Sequence, residues 1–179
     1  MRYESIGDIF DSNGQIRQRF TSTVAEMSSA ESTRLLPGES WSVAQVAEHI
    51  ALVNSGIARI CAKLLNAAKT SGKLYDGSAL ASADFVANLR NIADTRLEAP
   101  ERVRPTGNVA LEGSAAKMKD NDIAFGSMRQ DLERYDLSEH KFPHPYLGDL
   151  TASEWLILSG AHELRHTEQI GRMLALLRR

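Results

Sequence analysis

Two histidines four residues apart, His162 and His166, constrain this chain more than any other feature; they lie in Ala161-His162-Glu163-Leu164-Arg165-His166-Thr167-Glu168-Gln169-Ile170. On a helix that spacing stacks both imidazoles on one face, one turn apart. The same face carries Trp155, Leu158 and Ser159 upstream and Gln169, Ile170, Met173 and Leu177 downstream. It is therefore a face turned toward a core. Inward imidazoles are costly unless their nitrogens are satisfied, and a divalent metal satisfies them. The string also matches H-E-x-x-H, the helix-borne zinc motif whose glutamate is a general base.

The third ligand is found on another helix. Trp41-Ser42-Val43-Ala44-Gln45-Val46 is a strong helix start, with Ser42 as N-cap, Gln45 completing a capping box and Trp41 placed to staple onto Val46. A helix running from there to about Ala68 has a core stripe of Val46, His49, Ile50, Val53, Ile57, Ile60 and Leu64. His49 interrupts that stripe and is the expected third ligand. A metalloprotease of the H-E-x-x-H type is a poorer fit. Only 13 residues follow His166, none of them His or Asp, and no strand pattern is visible to hold a peptide.

The remaining helices follow from spacing. Ile6, Ile9, Phe10, Ile16, Phe20, Val24, Met27 and Leu35 predict one amphipathic helix from about Ser5 to Arg34, with Asn13-Gly14 as a weak point where a kink or late start is allowed and Pro37-Gly38 beyond it. Phe85, Val86, Leu89, Ile92 and Ala93 predict a short helix over Ala83 to Leu97. Pro100 and Pro105 bracket an expected extended loop. A third long helix is expected from Glu112 to Leu137, with Ala115, Met118, Ile123, Phe125, Met128, Leu132 and Tyr135 on its apolar stripe. His140 to Gly148 reads as a loop, because it holds two prolines and a glycine. Thr151 or Ser153 caps the last helix, which runs to about Leu177. With no repeats, linker or low-complexity tract, the expectation is one all-α domain over residues 1–179.

Net charge is -2, which argues against binding nucleic acid through a broad basic surface. The Arg172–Arg179 end reads instead as a last helical turn suited to the helix dipole. No window approaches about 18 uninterrupted apolar residues, so no membrane span is expected. The N-terminal residues carry acids early and do not resemble a signal peptide. The single cysteine, Cys61, permits no intrachain disulfide and fits a reducing cytoplasm; it reads as a small core residue. His140 and His144 read as loop residues able to approach the rim of the site. Glu163 lies about 100° of helix rotation off the His162–His166 line. It is either a base beside the metal or a plain helix-surface charge, and Glu48, next to His49, faces the same choice.

The order of several short motifs resembles the DinB superfamily. They are Trp41-Ser42-x-x-Gln45-Val46-x-x-His49-Ile50, Phe142-Pro143-His144-Pro145-x-x-Gly148-x-Leu150-Thr151, Glu154-Trp155-Leu156, and His162-x-x-x-His166-x-x-Gln169-Ile170. The resemblance covers nearly the whole chain. It implies a four-helix bundle of up-down-down-up topology, with a long crossover between helices 2 and 3, and often a homodimer. It also implies a metal triad of His49, His162 and His166. Family members with known activity include S-transferases using low-molecular-weight thiols and maleylpyruvate isomerases, so thiol transfer is the leading expectation.

Two function classes are carried forward. As a metal-dependent enzyme acting on a small molecule, the chain would use three imidazoles to hold zinc or nickel, with iron also compatible, and leave a position open for a reactant. Glu163 and Glu48 are then the candidate bases if the reaction is hydrolysis. Arg165 or the Arg102/Arg104 loop would meet the carboxylates of a thiol cofactor, and Trp41, Phe142 and Tyr146 would line a recess. As a binding or stress-response module, the metal would brace the helices and the aromatics would simply pack.

Overall fold

The computed structural model describes residues 3–92, 95 and 97–178. Among them are six α-helices and one two-stranded sheet: α1 (Ile6–Val24), α2 (Ser29–Thr33), α3 (Val43–Ser71), α4 (Ala83–Ile92), α5 (Leu111–Arg134), β1 (Lys141–His144), β2 (Gly148–Thr151) and α6 (Ala152–Leu177). The class is all-α, as expected, with one hairpin added.

Local chemistry explains the helix ends. Ser5 and Asp8 form a capping box at α1, Ser42 and Gln45 at α3, and Thr151 and Glu154 at α6. Gly72, at φ 72°, closes α3 with its N–H on the Ala68 carbonyl. Glu154 also accepts from the backbone and hydroxyl of Ser82, fastening the loop before α4 to the root of α6.

Five expectations need correction. The single helix from Ser5 to Arg34 is two, because Ser28 and Glu31 cap a new start at α2. Gly14 causes no break, since Ile9, Ile16, Phe20 and Val24 are buried along α1 and outweigh a penalty of about 1 kcal/mol. Ile123 is 65% exposed and does not belong to the α5 stripe. The Pro100–Pro105 loop holds a 3-10 turn at Glu101–Val103. The expected loop at 140–148 includes a strand, for β1 pairs antiparallel with β2 from Lys141↔Thr151 to His144↔Gly148. Pro143 is accommodated because a two-stranded sheet is all edge, where a missing N–H is tolerated. The expected continuation of α4 through Ala93 toward Leu97 runs over positions 93, 94 and 96, which lie outside the described residues, as do positions 1, 2 and 179.

Cross-helix contacts give the directions of packing. Asn13 reaches the Leu156 carbonyl and Arg17 reaches Glu163, so α1 and α6 run parallel. His49 meets His162 while Cys61 meets the Ala152 carbonyl, so α3 and α6 run antiparallel. Ser55 binds Asn121 and Lys69 pairs with Asp131, so α3 and α5 run parallel, which the long 72–110 connection permits. The most apolar window of α3 has the length and composition of a membrane span, and half of it is buried within the protein.

Two apolar clusters fill the interior. One gathers Ile9, Ile57, Leu132, Trp155 and Leu156; the other gathers Phe20, Val46, Ile50, Ile170 and Met173. Along α3 and α6 the boundary between them is polar: Asn54, Ser55, Ser159, Glu163 and Thr167 are all buried. Gly160 belongs to the same level, and a Cβ there would stand 1.9 Å from Asn13 Oδ1 and 2.9 Å from Asn13 Cγ. Gly160→Ala is therefore expected to destabilise the protein by about 1–3 kcal/mol through overpacking. Adding Asn13→Ala should recover part of the loss. Urea midpoints of the single and double variants test this; an unchanged midpoint in Gly160→Ala would show that α1 has room to shift.

Candidate metal centre

His49 stands on the second turn of α3, close behind the Ser42 cap, and His162 and His166 share one face of α6. The antiparallel packing of α3 and α6 brings them together. Their nitrogens offer one potential ligand atom each, all within 4.8 Å of one another. The rings pack edge to face, with centroids 5.0 Å apart for His49–His162 and His49–His166, and 4.5 Å for His162–His166. His49 is buried, and the other two are partly exposed.

Hydrogen bonds decide which nitrogens face inward. His49 Nδ1 lies 2.7 Å from the Val103 carbonyl, which can only accept, so Nδ1 carries the proton and Nε2 is bare. His166 Nδ1 lies 2.9 Å from Gln169 Oε1. The Gln169 amide is oriented by its own donation to Glu39 Oε2 at 2.9 Å, so His166 also donates from Nδ1 and leaves Nε2 bare. His162 Nε2 sits 3.1 Å from His49 Nε2, while its buried Nδ1 has no partner among the described residues. Nitrogen donors at this separation, oriented by outer hydrogen bonds, form the donor set that a borderline divalent cation takes. Among the described residues no carboxylate or thiol joins the cluster as a fourth ligand.

Burial shifts all three imidazoles toward the neutral, ligand-competent form. It lowers the pKa of His49, lowers that of His162 well below the ordinary value with help from its histidine neighbours, and lowers that of His166 to about 4. Between those values and an unfolded value near 6.5, the unfolded chain binds more protons than the folded one, so stability rises with pH in that window. Metal-free protein should accordingly keep its full stability above about pH 6.5 and lose on the order of a few kcal/mol by pH 5, before carboxylates titrate. Urea unfolding at pH 7, 6 and 5 tests this, and a flat profile would contradict it.

A family model of the DinB superfamily matches residues 14–170. The chain belongs to the DinB superfamily. No curated protein and no solved structure matches it.

In this DinB-superfamily chain the other expected site residues are placed differently. Glu163 is 1% exposed: Arg17 grips it through Nε at 2.6 Å and Nη2 at 2.8 Å, and Asn54 Nδ2 donates to it at 3.0 Å. It is not a surface charge, because helix rotation carries it into the polar layer where α1 supplies a guanidinium. Glu48 is also buried and accepts from the Thr106 and Gly107 backbone and the Thr106 hydroxyl, tying down the crossover. Arg165 donates to the carbonyls of Ile92 and Thr95, where a cofactor carboxylate was expected. Arg104 pairs with Glu98. His140 stays outside the cluster. Burial pushes the Cys61 thiol far above its ordinary pKa and leaves it an inert core residue.

Among the aromatics, Trp41 lies 5.0 Å from the His49 ring, so it does border the site. Phe142 packs on Trp155, and Tyr146 on His144. Two contributors escaped the sequence reading. Gln169 follows His166 by three residues on the same face, which was a usable signal. Val103 acts through its carbonyl, which no side-chain pattern reveals.

Proposed function

We propose that this protein is a metal-dependent enzyme that binds a divalent ion, zinc or nickel, through His49, His162 and His166 and uses it to transfer a low-molecular-weight thiol to a small electrophile. The observation that carries the reading is the convergence of three imidazoles, two of them oriented through their Nδ1 by Val103 and Gln169, with no fourth protein ligand in the cluster among the described residues. When bound, such an ion supplies Lewis acidity and lowers the pKa of a coordinated thiol or water. Val103 and Gln169 orient two ligands, and Trp41 and the burial of His49 exclude water from one side. Thiol transfer ranks above hydrolysis because both carboxylates beside the ligands, Glu48 and Glu163, are engaged by other partners and leave no free base there.

The reading extends to the whole chain. The directions of α1, α3, α5 and α6 support a four-helix bundle running up-down-down-up, acting as one domain over residues 1–179. A homodimer in the cytoplasm is proposed with it; a monomer-sized species in light scattering at micromolar concentration would count against the dimer. For the chemistry, a panel of low-molecular-weight thiols with a chromogenic electrophile is run on metal-loaded protein and on His49→Ala. Metal-dependent turnover with one thiol is the expected result. Ester hydrolysis without any thiol would replace transfer with hydrolysis, and silence in both assays would leave a metal-binding module.

A further inference from the structure

Glu48 and His49 are consecutive on α3, and both reach the same short strap of the crossover. His49 Nδ1 donates to the Val103 carbonyl at 2.7 Å. Three residues further on, the Thr106 backbone N–H and hydroxyl donate to Glu48 Oε1 at 2.9 and 2.8 Å, and the Gly107 N–H donates to Oε2 at 3.1 Å. The Thr106 hydroxyl in turn accepts from the Asn108 N–H. Gly107 turns at φ 76°, and a Cβ there would stand 3.1 Å from Gln45 Nε2, so the strap lies directly against the first turn of α3.

The two attachments are joined by a stiff link. Val103 ends the 3-10 turn, with its N–H on the Pro100 carbonyl. Arg104 is extended at φ -68° and ψ 135°, the conformation a following proline imposes, and the ring of Pro105 fixes its own φ. A shift at Thr106 is therefore passed on to the Val103 carbonyl. Glu48 is 4% exposed, and a buried carboxylate stripped of its donors is costly, so the strap is driven to stay seated.

We propose that Glu48 is a positioning residue for the metal centre: by clamping Thr106 and Gly107 it holds the Val103 carbonyl on His49 Nδ1, which keeps the proton there and leaves Nε2 bare toward the cluster. This role rests on the metal-dependent reading above and adds that the ion and the crossover are coupled. Such coupling is reciprocal. The factor by which the seated strap tightens the ion is the factor by which the ion tightens the strap.

Glu48→Gln tests this, since it changes no ligand and no direct partner of a ligand. The two backbone N–H groups go to different carboxylate oxygens, so a glutamine must turn its NH2 toward one of them. Zinc affinity, measured against a chromogenic chelator, is expected to fall about tenfold, the lower end of what losing an outer partner costs. In the unaltered protein zinc should slow hydrogen exchange of the Thr106 and Gly107 amides by the same factor, and Glu48→Gln should abolish that slowing. In metal-free protein at pH 7, nitrogen NMR of the imidazoles should show His49 protonated at Nδ1, and a mixture of Nδ1 and Nε2 tautomers in Glu48→Gln. A carboxylate that merely stabilised the fold would not move the tautomer. An unchanged tautomer, or an unchanged zinc affinity, in Glu48→Gln would overturn the proposal. If the unaltered protein binds no zinc, the metal reading falls and the tautomer alone decides: a mixture in the variant keeps the positioning role, and pure Nδ1–H removes it. If Glu48→Gln fails to fold, Thr106→Val decides, because it removes one donor at an exposed position. A smaller shift of the His49 tautomer in the same direction supports the clamp, and no shift overturns it.

Discussion

Replacing His49, His162 or His166 singly with alanine will strip most of the divalent metal from the protein. Each ring contributes a third of the nitrogen donors, and no carboxylate or thiol lies in the cluster to substitute among the described residues. The loss should be comparable at the three positions even though their burial differs, because each change leaves two protein ligands where an open site for such an ion ordinarily has three. Gln169→Ala removes an orienting hydrogen bond while sparing every ligand, so about 10- to 100-fold weaker binding is expected. Elemental analysis after gel filtration, with competition against a chromogenic chelator, separates the two outcomes. Stoichiometric metal remaining in His49→Ala would refute the triad. Equal losses from Gln169→Ala and the ligand variants would point to damaged packing.

What could be read from the sequence depended on how local the controlling interaction was. Four capping boxes lie within a few residues of the helix starts they control, and the boxes at Ser42 and Thr151 are present where the sequence placed them. The triad was legible for a related reason. His49, His162 and His166 each break an apolar stripe on a helix whose phase a nearby cap sets. The hairpin at Lys141–Thr151 was not legible, because Pro143, Pro145 and Gly148 are loop residues by composition and become strand-compatible only at a two-stranded edge. Ile123 misled for want of a partner: the buried polar contacts of Asn121 with Ser55 and the Ala51 carbonyl help set the phase of α5. The partners of Glu48 and Arg165 come from the crossover, more than 50 residues away in each case. Nothing near either residue announces them.

The most distant of these pairings carries the second large expected effect. Arg17 lies 146 residues from Glu163, and the two form a bidentate pair inside the polar layer, with side chains 12% and 1% exposed. Desolvating both charges is expensive, and their mutual attraction offsets that cost only while both are present. Arg17→Met should therefore cost about 3–5 kcal/mol, because it leaves a buried carboxylate with only the Asn54 amide as donor. The double variant Arg17→Met/Glu163→Leu should be markedly more stable than Arg17→Met alone, since an apolar pair of similar volume often replaces a buried ion pair with little net change. Urea denaturation of the three proteins and Glu163→Leu gives the coupling energy directly. The same variants separate the pair's role from catalysis: if Glu163 holds α1 against α6 and does no chemistry, the double variant keeps its metal and whatever thiol-transfer activity the parent shows. Metal loss together with recovered stability in the double variant would instead tie Glu163 to the neighbouring His162 ligand. Additive single-variant losses would mean that the carboxylate and guanidinium are each solvated by other groups and that the pair does not fasten the helices.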